Sequence, residues 1–184
     1  MRLLIVPIVI GLLLALPSSR LGDWLTNDGG LVAMEANDVR RLDEQLRGGM
    51  DVDAVDSVGR TPLMIAAQMG RTEMAGPLIR HGASISARCS CGMTPLAYAA
   101  YSGDARTVAL LLERGADPNA VDGRGNTPLI WAVQSGSVDK VRALLAAGAD
   151  PRLTNHAGWS AAEAARAYGH HDIVMLLAHA SRGP

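Results

Sequence analysis

One tripeptide returns at a fixed interval. Thr61-Pro62-Leu63 is followed by Thr94-Pro95-Leu96 and Thr127-Pro128-Leu129, 33 residues apart each time, and a worn copy, Ser160-Ala161-Ala162, stands another 33 on. Three further series keep the same register: Gly59, Gly92, Gly125 and Gly158; Gly70, Gly103, Gly136 and Gly169; and Gly82-Ala83, Gly115-Ala116 and Gly148-Ala149. Agreement of several independent series is not chance. A period in this range marks a chain built of stacked supersecondary units, each too small to bury its apolar side alone.

Each series has a mechanical reason. Thr before Pro is an N-cap followed by proline at the first helical position, where its fixed φ helps and its missing N–H is not missed. Ala66-Ala67, Ala99-Ala100 and Ala132 give this first helix a flat side that a neighbour can approach closely. Gly70 and its relatives are expected to end the helix with positive φ. In the second helix Val108, Leu111 and Leu112, and then Val141, Leu144 and Leu145, form an apolar stripe at i, i+3, i+4 spacing. Gly82 and its relatives close that helix. A polar stretch such as Asp117-Pro118-Asn119 to Asp122-Gly123-Arg124-Gly125 then leads, as a hairpin-like finger, to the next Thr-Pro.

The run of Gly-x-Thr-Pro-Leu, Ala-Ala, Gly, Leu-Leu and Gly-Ala-Asp, almost intact at 122–154, resembles the ankyrin-repeat family, and the resemblance covers about residues 30–180. It implies an all-α solenoid of about five helix-turn-helix units with short hairpin fingers. The units are assigned to 30–55, degenerate, then 56–88, 89–121, 122–154 and a C-terminal unit at 155–181. Two departures stand out. Where the family usually has a histidine after Thr-Pro-Leu, this chain has Met64, Ala97, Ile130 and Glu163, so no histidine ladder braces the fingers. Gly76-Pro77 falls inside the second helix of the 56–88 unit. Proline there costs about 3 kcal/mol, so this helix is expected to kink or begin late, as a tolerated irregularity or as a hinge.

Ahead of the repeats, Met1-Arg2 carries positive charge, Leu3 to Leu16 is an uncharged apolar run, and Pro17-Ser18-Ser19 breaks it. That is the layout of a secretory signal. Fourteen residues at ~1.5 Å each make about 21 Å of helix, short of the roughly 30 Å hydrocarbon core. Cleavage near Leu16-Pro17-Ser18 is favoured over a retained membrane anchor formed by residues 3–16, and both over a buried first helix, which would have no polar face to show water. Residues 20–29 are read as a linker. No cysteine lies near the segment, which argues against a lipid anchor. The expectation is an exported protein, in a bacterial periplasm or held at the inner membrane.

Hydrophobic residues make up 48% of the chain and charged ones 19%, so a folded domain is expected. Net charge is −1 and no basic run exists, so nucleic-acid binding lacks its electrostatic drive. Nothing forms a nucleophile–base pair or a carboxylate pair. Gly123-x-Gly125 lacks a preceding strand and is not a phosphate loop. No catalytic residue and no cofactor is assigned. The resemblance implies instead a concave surface of finger tips and exposed sides of first helices. By register it would present Arg60, Met93, Asn126 and Trp159 from the fingers, and Gln68, Met69, Tyr101, Gln134 and Tyr168 from the helix ends. Rigid aromatic and arginine anchors carry affinity in such surfaces. The bland alternative is that Trp159 and Tyr168 pack on each other as a cap. Tyr98 and Trp131, in equivalent places, are read as core.

Cys89 and Cys91 fall on one finger tip, with Cys89 where Asp56 and Asp122 stand in its neighbours. Inert neighbours or a plain bridge, a redox-responsive pair, and part of a soft-metal site are the three readings. Two sulfurs alone make a poor zinc site. His170 and His171, with His179 and His156, are not assigned to a metal, which would need several converging ligands. The chain is thus expected to be a monomeric scaffold binding another protein outside the cytoplasm. Two alternatives remain: a redox or metal accessory factor using Cys89 and Cys91, suggested by similarity to small exported bacterial ankyrin proteins linked to catalase, and a membrane-anchored adaptor.

Overall fold

The computed structural model describes residues 36–180. The signal or anchor segment at 1–19, the linker at 20–29 and Leu31 to Met34 of the first unit lie outside the described residues.

Among the described residues nine helices alternate with turns: α1 (Val39–Arg47), α2 (Pro62–Gln68), α3 (Thr72–Arg80), α4 (Pro95–Ser102), α5 (Ala105–Glu113), α6 (Pro128–Gln134), α7 (Val138–Ala146), α8 (Ala161–Tyr168) and α9 (His171–Ala180). No strand occurs among them, only an antiparallel bridge between Thr154 and Ser160. None of these helices is long and apolar enough to cross a membrane.

The Thr-Pro signal works as its chemistry requires. Thr61, Thr94 and Thr127 accept from the amides of Met64, Ala97 and Ile130 at 3.4, 3.3 and 3.3 Å, with Pro62, Pro95 and Pro128 opening each helix. Ser160 does the same for α8 and adds a capping box with Glu163. The first helices α2, α4, α6 and α8 pack side by side, and the second helices α1, α3, α5, α7 and α9 form a layer behind them. The small residues explain the close stacking: Ala66, Ala67, Ala99, Ala100, Ala132, Ala164 and Ala165 are all buried. Leu63, Leu96 and Leu129 join Met74, Leu78, Val108, Leu111, Val141 and Leu144 in one continuous core. Each fully buried leucine contributes about 1.5–3 kcal/mol relative to exposure.

Two expectations are corrected. The helix carrying Gly76-Pro77 does not start late: α3 begins at Thr72, in register with Ala105 and Val138, and continues to Arg80. Pro77 is the sixth residue of a nine-residue helix, so the one carbonyl it leaves without an intrahelical partner belongs to Glu73, an exposed residue of the first turn. Burial of Met74, Ala75, Pro77 and Leu78 on the neighbouring helices outweighs the propensity penalty.

The second correction concerns Gly103. Gly70, Gly136 and Gly169 have φ of 64°, 70° and 75°, but Gly103 has φ −76°. Its glycine is required by proximity instead: an added Cβ would lie 2.3 Å from the Ala67 carbonyl oxygen and 2.9 Å from Ala99 Cα. Beside it, the buried Lys140 ammonium reaches from α7 and donates to the carbonyls of Ala100 (2.8 Å) and Gly103 (3.2 Å). A cation thus closes the carbonyl end of α4, where the helix dipole favours it. Burial pushes the Lys140 ammonium below its ordinary pKa, and Asp104 pulls the other way.

Candidate partner-binding face

Four fingers, 56–60, 89–93, 122–126 and 155–159, share one construction. In each, the first residue's amide donates to the carbonyl of the fifth: Asp56 to Arg60 (3.0 Å), Cys89 to Met93 (3.1 Å), Asp122 to Asn126 (3.0 Å) and Asn155 to Trp159 (3.0 Å). In three of them the first side chain also braces the loop. Asp56 Oδ1 accepts from the amides of Val58 (3.0 Å) and Arg60 (2.8 Å). Asp122 Oδ1 accepts from Arg124 (2.8 Å) and Asn126 (2.9 Å), and Asn155 Oδ1 from Ala157 and Trp159, both at 3.0 Å. Such short polar side chains stabilise turns by mimicking a backbone acceptor. Cys89 cannot accept two such bonds. It is disulfide-bonded to Cys91, the residue whose amide the missing carboxylate would have held. The bridge stands in for the brace.

The fingers are joined in the same register. The amides of Ser90, Gly123 and His156 donate to the carbonyls of Val58 (3.1 Å), Cys91 (2.9 Å) and Arg124 (3.0 Å). This backbone ladder couples adjacent fingers in a chain that lacks the family's usual histidine. Arg88 adds bonds to the carbonyls of Gly92 (2.9 Å) and Val121 (2.5 Å).

On this frame the residues assigned from sequence divide. Trp159 and Tyr168 are 43% and 44% exposed, and Met69 is 38% exposed, so these three present large side chains to solvent. Gln134 is half-buried and donates to the Tyr168 hydroxyl at 2.8 Å. Tyr168 stacks on His170, not on Trp159, with ring centroids 6.1 Å apart. Arg60 and Gln68 are turned inward: Arg60 Nε meets the buried Asp56 carboxylate at 2.8 Å, and its Nη1 donates to Gln68 Oε1 at 2.9 Å. Met93 packs against the core rather than projecting.

Asn126 is buried, donates to Asp122 Oδ2 (3.3 Å) and accepts from Asn155 Nδ2 (2.8 Å), so it is a strut between two fingers and also part of the lining of the cavity they enclose. Trp131 is a correction. Read as core, it is only half-buried. Its Nε1 donates to Asp122 Oδ2 at 3.1 Å, and Tyr101 packs edge-on against it at 5.1 Å and 69°. Its register partner Tyr98 is buried, and burial pushes that phenol above its usual pKa. The Tyr98 hydroxyl lies 3.9 Å from Cys91 Sγ.

Asn126, Trp131, Gln134, Trp159 and Tyr168 help to line an open cavity of about 540 Å³ between the third and fourth fingers and helices α6 and α8. Trp131, Trp159, Tyr168 and Ile130 supply apolar walls, and Arg124 and His156 stand at the rim. Sequence reasoning missed the last two. Their signal was available, since Arg124 sits at the tip position shared with Val58 and Cys91, but the register was read only for residues next to Thr-Pro. An added Cβ on Gly125 would meet His156 Cδ2 at 2.8 Å, so that glycine lets the imidazole lie flat on the neighbouring finger.

No curated protein matches the chain. A family model of ankyrin repeats, spanning three copies, matches residues 31–122 and 117–183. With the paired helices and register-locked fingers described above, the match establishes that the chain belongs to the ankyrin-repeat family.

Proposed function

We propose that the chain binds another protein through the face formed by its fingers and first helices, with the cavity between the third and fourth fingers as the anchoring point. Ankyrin repeats serve as protein–protein interaction scaffolds, typically without catalysis. One observation carries the choice of surface: of the five aromatic residues in the described part, Tyr101, Trp131, Trp159 and Tyr168 gather on this face, while Tyr98 alone is buried. Aromatic anchors in a preformed concavity are the usual centre of binding energy.

The proposed location is outside the cytoplasm, as a cleaved or membrane-held exported protein. The charged start and apolar run of residues 1–19 support it. So does the Cys89–Cys91 bridge, a state that oxidising compartments favour. Protease added to cells whose outer envelope is opened and whose inner membrane is intact is expected to cut the repeats; protection of the repeats under those conditions would reject export.

Partner capture from that compartment, identified by mass spectrometry, tests the surface. Truncating an anchor typically costs 2 kcal/mol or more, about 30-fold in affinity. Trp159→Ala and Tyr168→Ala are expected to weaken the captured complex to that degree with an unchanged melting temperature. Unchanged capture, or capture lost only in step with stability, rejects the surface.

A further inference from the structure

The cavity's charges say what kind of segment enters it. Its charged or titratable rim groups are Arg124 and His156, and no carboxylate lines it. The nearest acid in the sequence, Asp122, is buried beneath and fully engaged: its oxygens take the amides of Arg124 and Asn126, the Asn126 side chain and the Trp131 indole. Arg124 is exposed, and among the described residues its guanidinium has neither an ion pair nor a hydrogen bond. The arginines at the neighbouring fingers are committed. Arg60 is paired with Asp56, and Arg88, just before the second finger, is bonded to two carbonyls. One finger arginine is thus left facing solvent with its five donors unused, beside an apolar concavity walled by two indoles and a phenol.

We infer that the partner presents an extended segment with an apolar side chain adjacent to a carboxylate. The apolar group enters between Trp131, Trp159 and Tyr168, and the acid pairs with Arg124. This rests on the binding face proposed above and adds the partner's chemistry. A guanidinium matches a carboxylate with two parallel hydrogen bonds, so the pair sets the register of the segment as well as its charge. The imidazole N–H of His156 offers a further donor at the same rim. A basic segment would meet unpaired like charge at the mouth, which disfavours it. The volume, about 540 Å³, accommodates one or two side chains and not a folded element.

The test uses three end-blocked hexapeptides differing only in the centre: Glu-Leu-Glu, Lys-Leu-Lys and Glu-Gly-Glu. They are titrated into the folded protein while the indole N–H resonances of Trp131 and Trp159 are followed by NMR. The Glu-Leu-Glu peptide is expected to shift both indoles, with affinity about fivefold above Lys-Leu-Lys, the ratio that an exposed charge pair supplies, and about tenfold or more above Glu-Gly-Glu, the ratio that one buried leucine supplies. Arg124→Gln is expected to remove the preference for Glu over Lys, and Arg124→Lys to restore part of it. Arg124 contributes only backbone atoms to the finger, so neither change should unfold it. If the Lys-Leu-Lys peptide binds as well or better while both indoles still shift, the charge inference is overturned and the binding face stands. Equal binding of the Glu-Gly-Glu peptide overturns the apolar half. If no peptide moves either indole at millimolar concentration, the cavity and the inference fall together.

Discussion

The bridge in the second finger is the sharpest point at which to perturb this chain. Replacing both cysteines by alanine leaves the 89–93 loop with neither covalent tie nor side-chain acceptor. For a loop of three residues, the entropy that cross-linking removes from the unfolded chain amounts to about 1.6 kcal/mol at 25 °C. For a domain of this size that is a fall of roughly 3–6 °C in melting temperature. Restoring the brace found in the neighbouring fingers should recover it. In a Cys89→Asp, Cys91→Ala variant the carboxylate would accept from the amides at positions 91 and 93, two bonds of about 1 kcal/mol each. The burial of Asp56 and Asp122 in the equivalent places, 5% and 8% exposed, shows that the fold houses a carboxylate there. Tyr98, at the register position of Trp131, is placed to donate to the second oxygen as the indole does to Asp122. Urea unfolding followed by tryptophan fluorescence should therefore put the aspartate variant within about 0.5 kcal/mol of the native protein and the alanine variant clearly below both. Dithiothreitol should lower the native midpoint and leave the aspartate variant untouched. If the aspartate variant is no more stable than the alanine one, or reductant leaves the native midpoint unmoved, the bridge is not a substitute brace.

Three packing consequences follow. Gly103→Ala places a methyl against the Ala67 carbonyl and the Ala99 backbone, and should lower unfolding free energy by about 3 kcal/mol or more. Gly115→Ala, where φ is +87° but no atom lies within 4 Å, should cost only about 1–2 kcal/mol; equal losses in urea titrations would contradict the proximity argument. Lys140→Met strips the donors from the Ala100 and Gly103 carbonyls and should cost about 2–3 kcal/mol near neutral pH. Because burial holds the native ammonium's pKa below its ordinary 10.5, the unfolded chain binds more protons in the alkaline range beneath that value. The lysine's contribution therefore rises as pH climbs toward 10.5 and falls as pH drops through the native pKa. A gap between native and Lys140→Met stability that narrows over that climb would reverse the assignment.

Local signals carried the architecture. An N-cap threonine, a proline at the first helical turn, a glycine at the end and a valine followed by a leucine pair at i, i+3, i+4 spacing each act within a few residues, so their recurrence at 33 announced the stacked helices before any contact was known. Propensity alone misled on where α3 starts, because burial on three neighbouring helices is not written in its nine residues.

The proposed binding face was legible only in part. Trp159, Tyr168 and Met69 project from the places their register gave them, but register does not say which way a finger residue turns. Asn126 and Trp159 share a register position; one became a buried strut and the other a cavity wall, because a further finger follows the third and none among the described residues follows the fourth. Trp131 was held at the cavity edge by a buried aspartate, while Tyr98 in the same register sank into the core. Sequence by itself determined the repeat, its helices and the class of work an ankyrin chain does. The tertiary structure decided which side chains face outward, why Gly103 admits no Cβ and what the cysteines replace, because each depends on atoms one repeat away and not on neighbours along the chain.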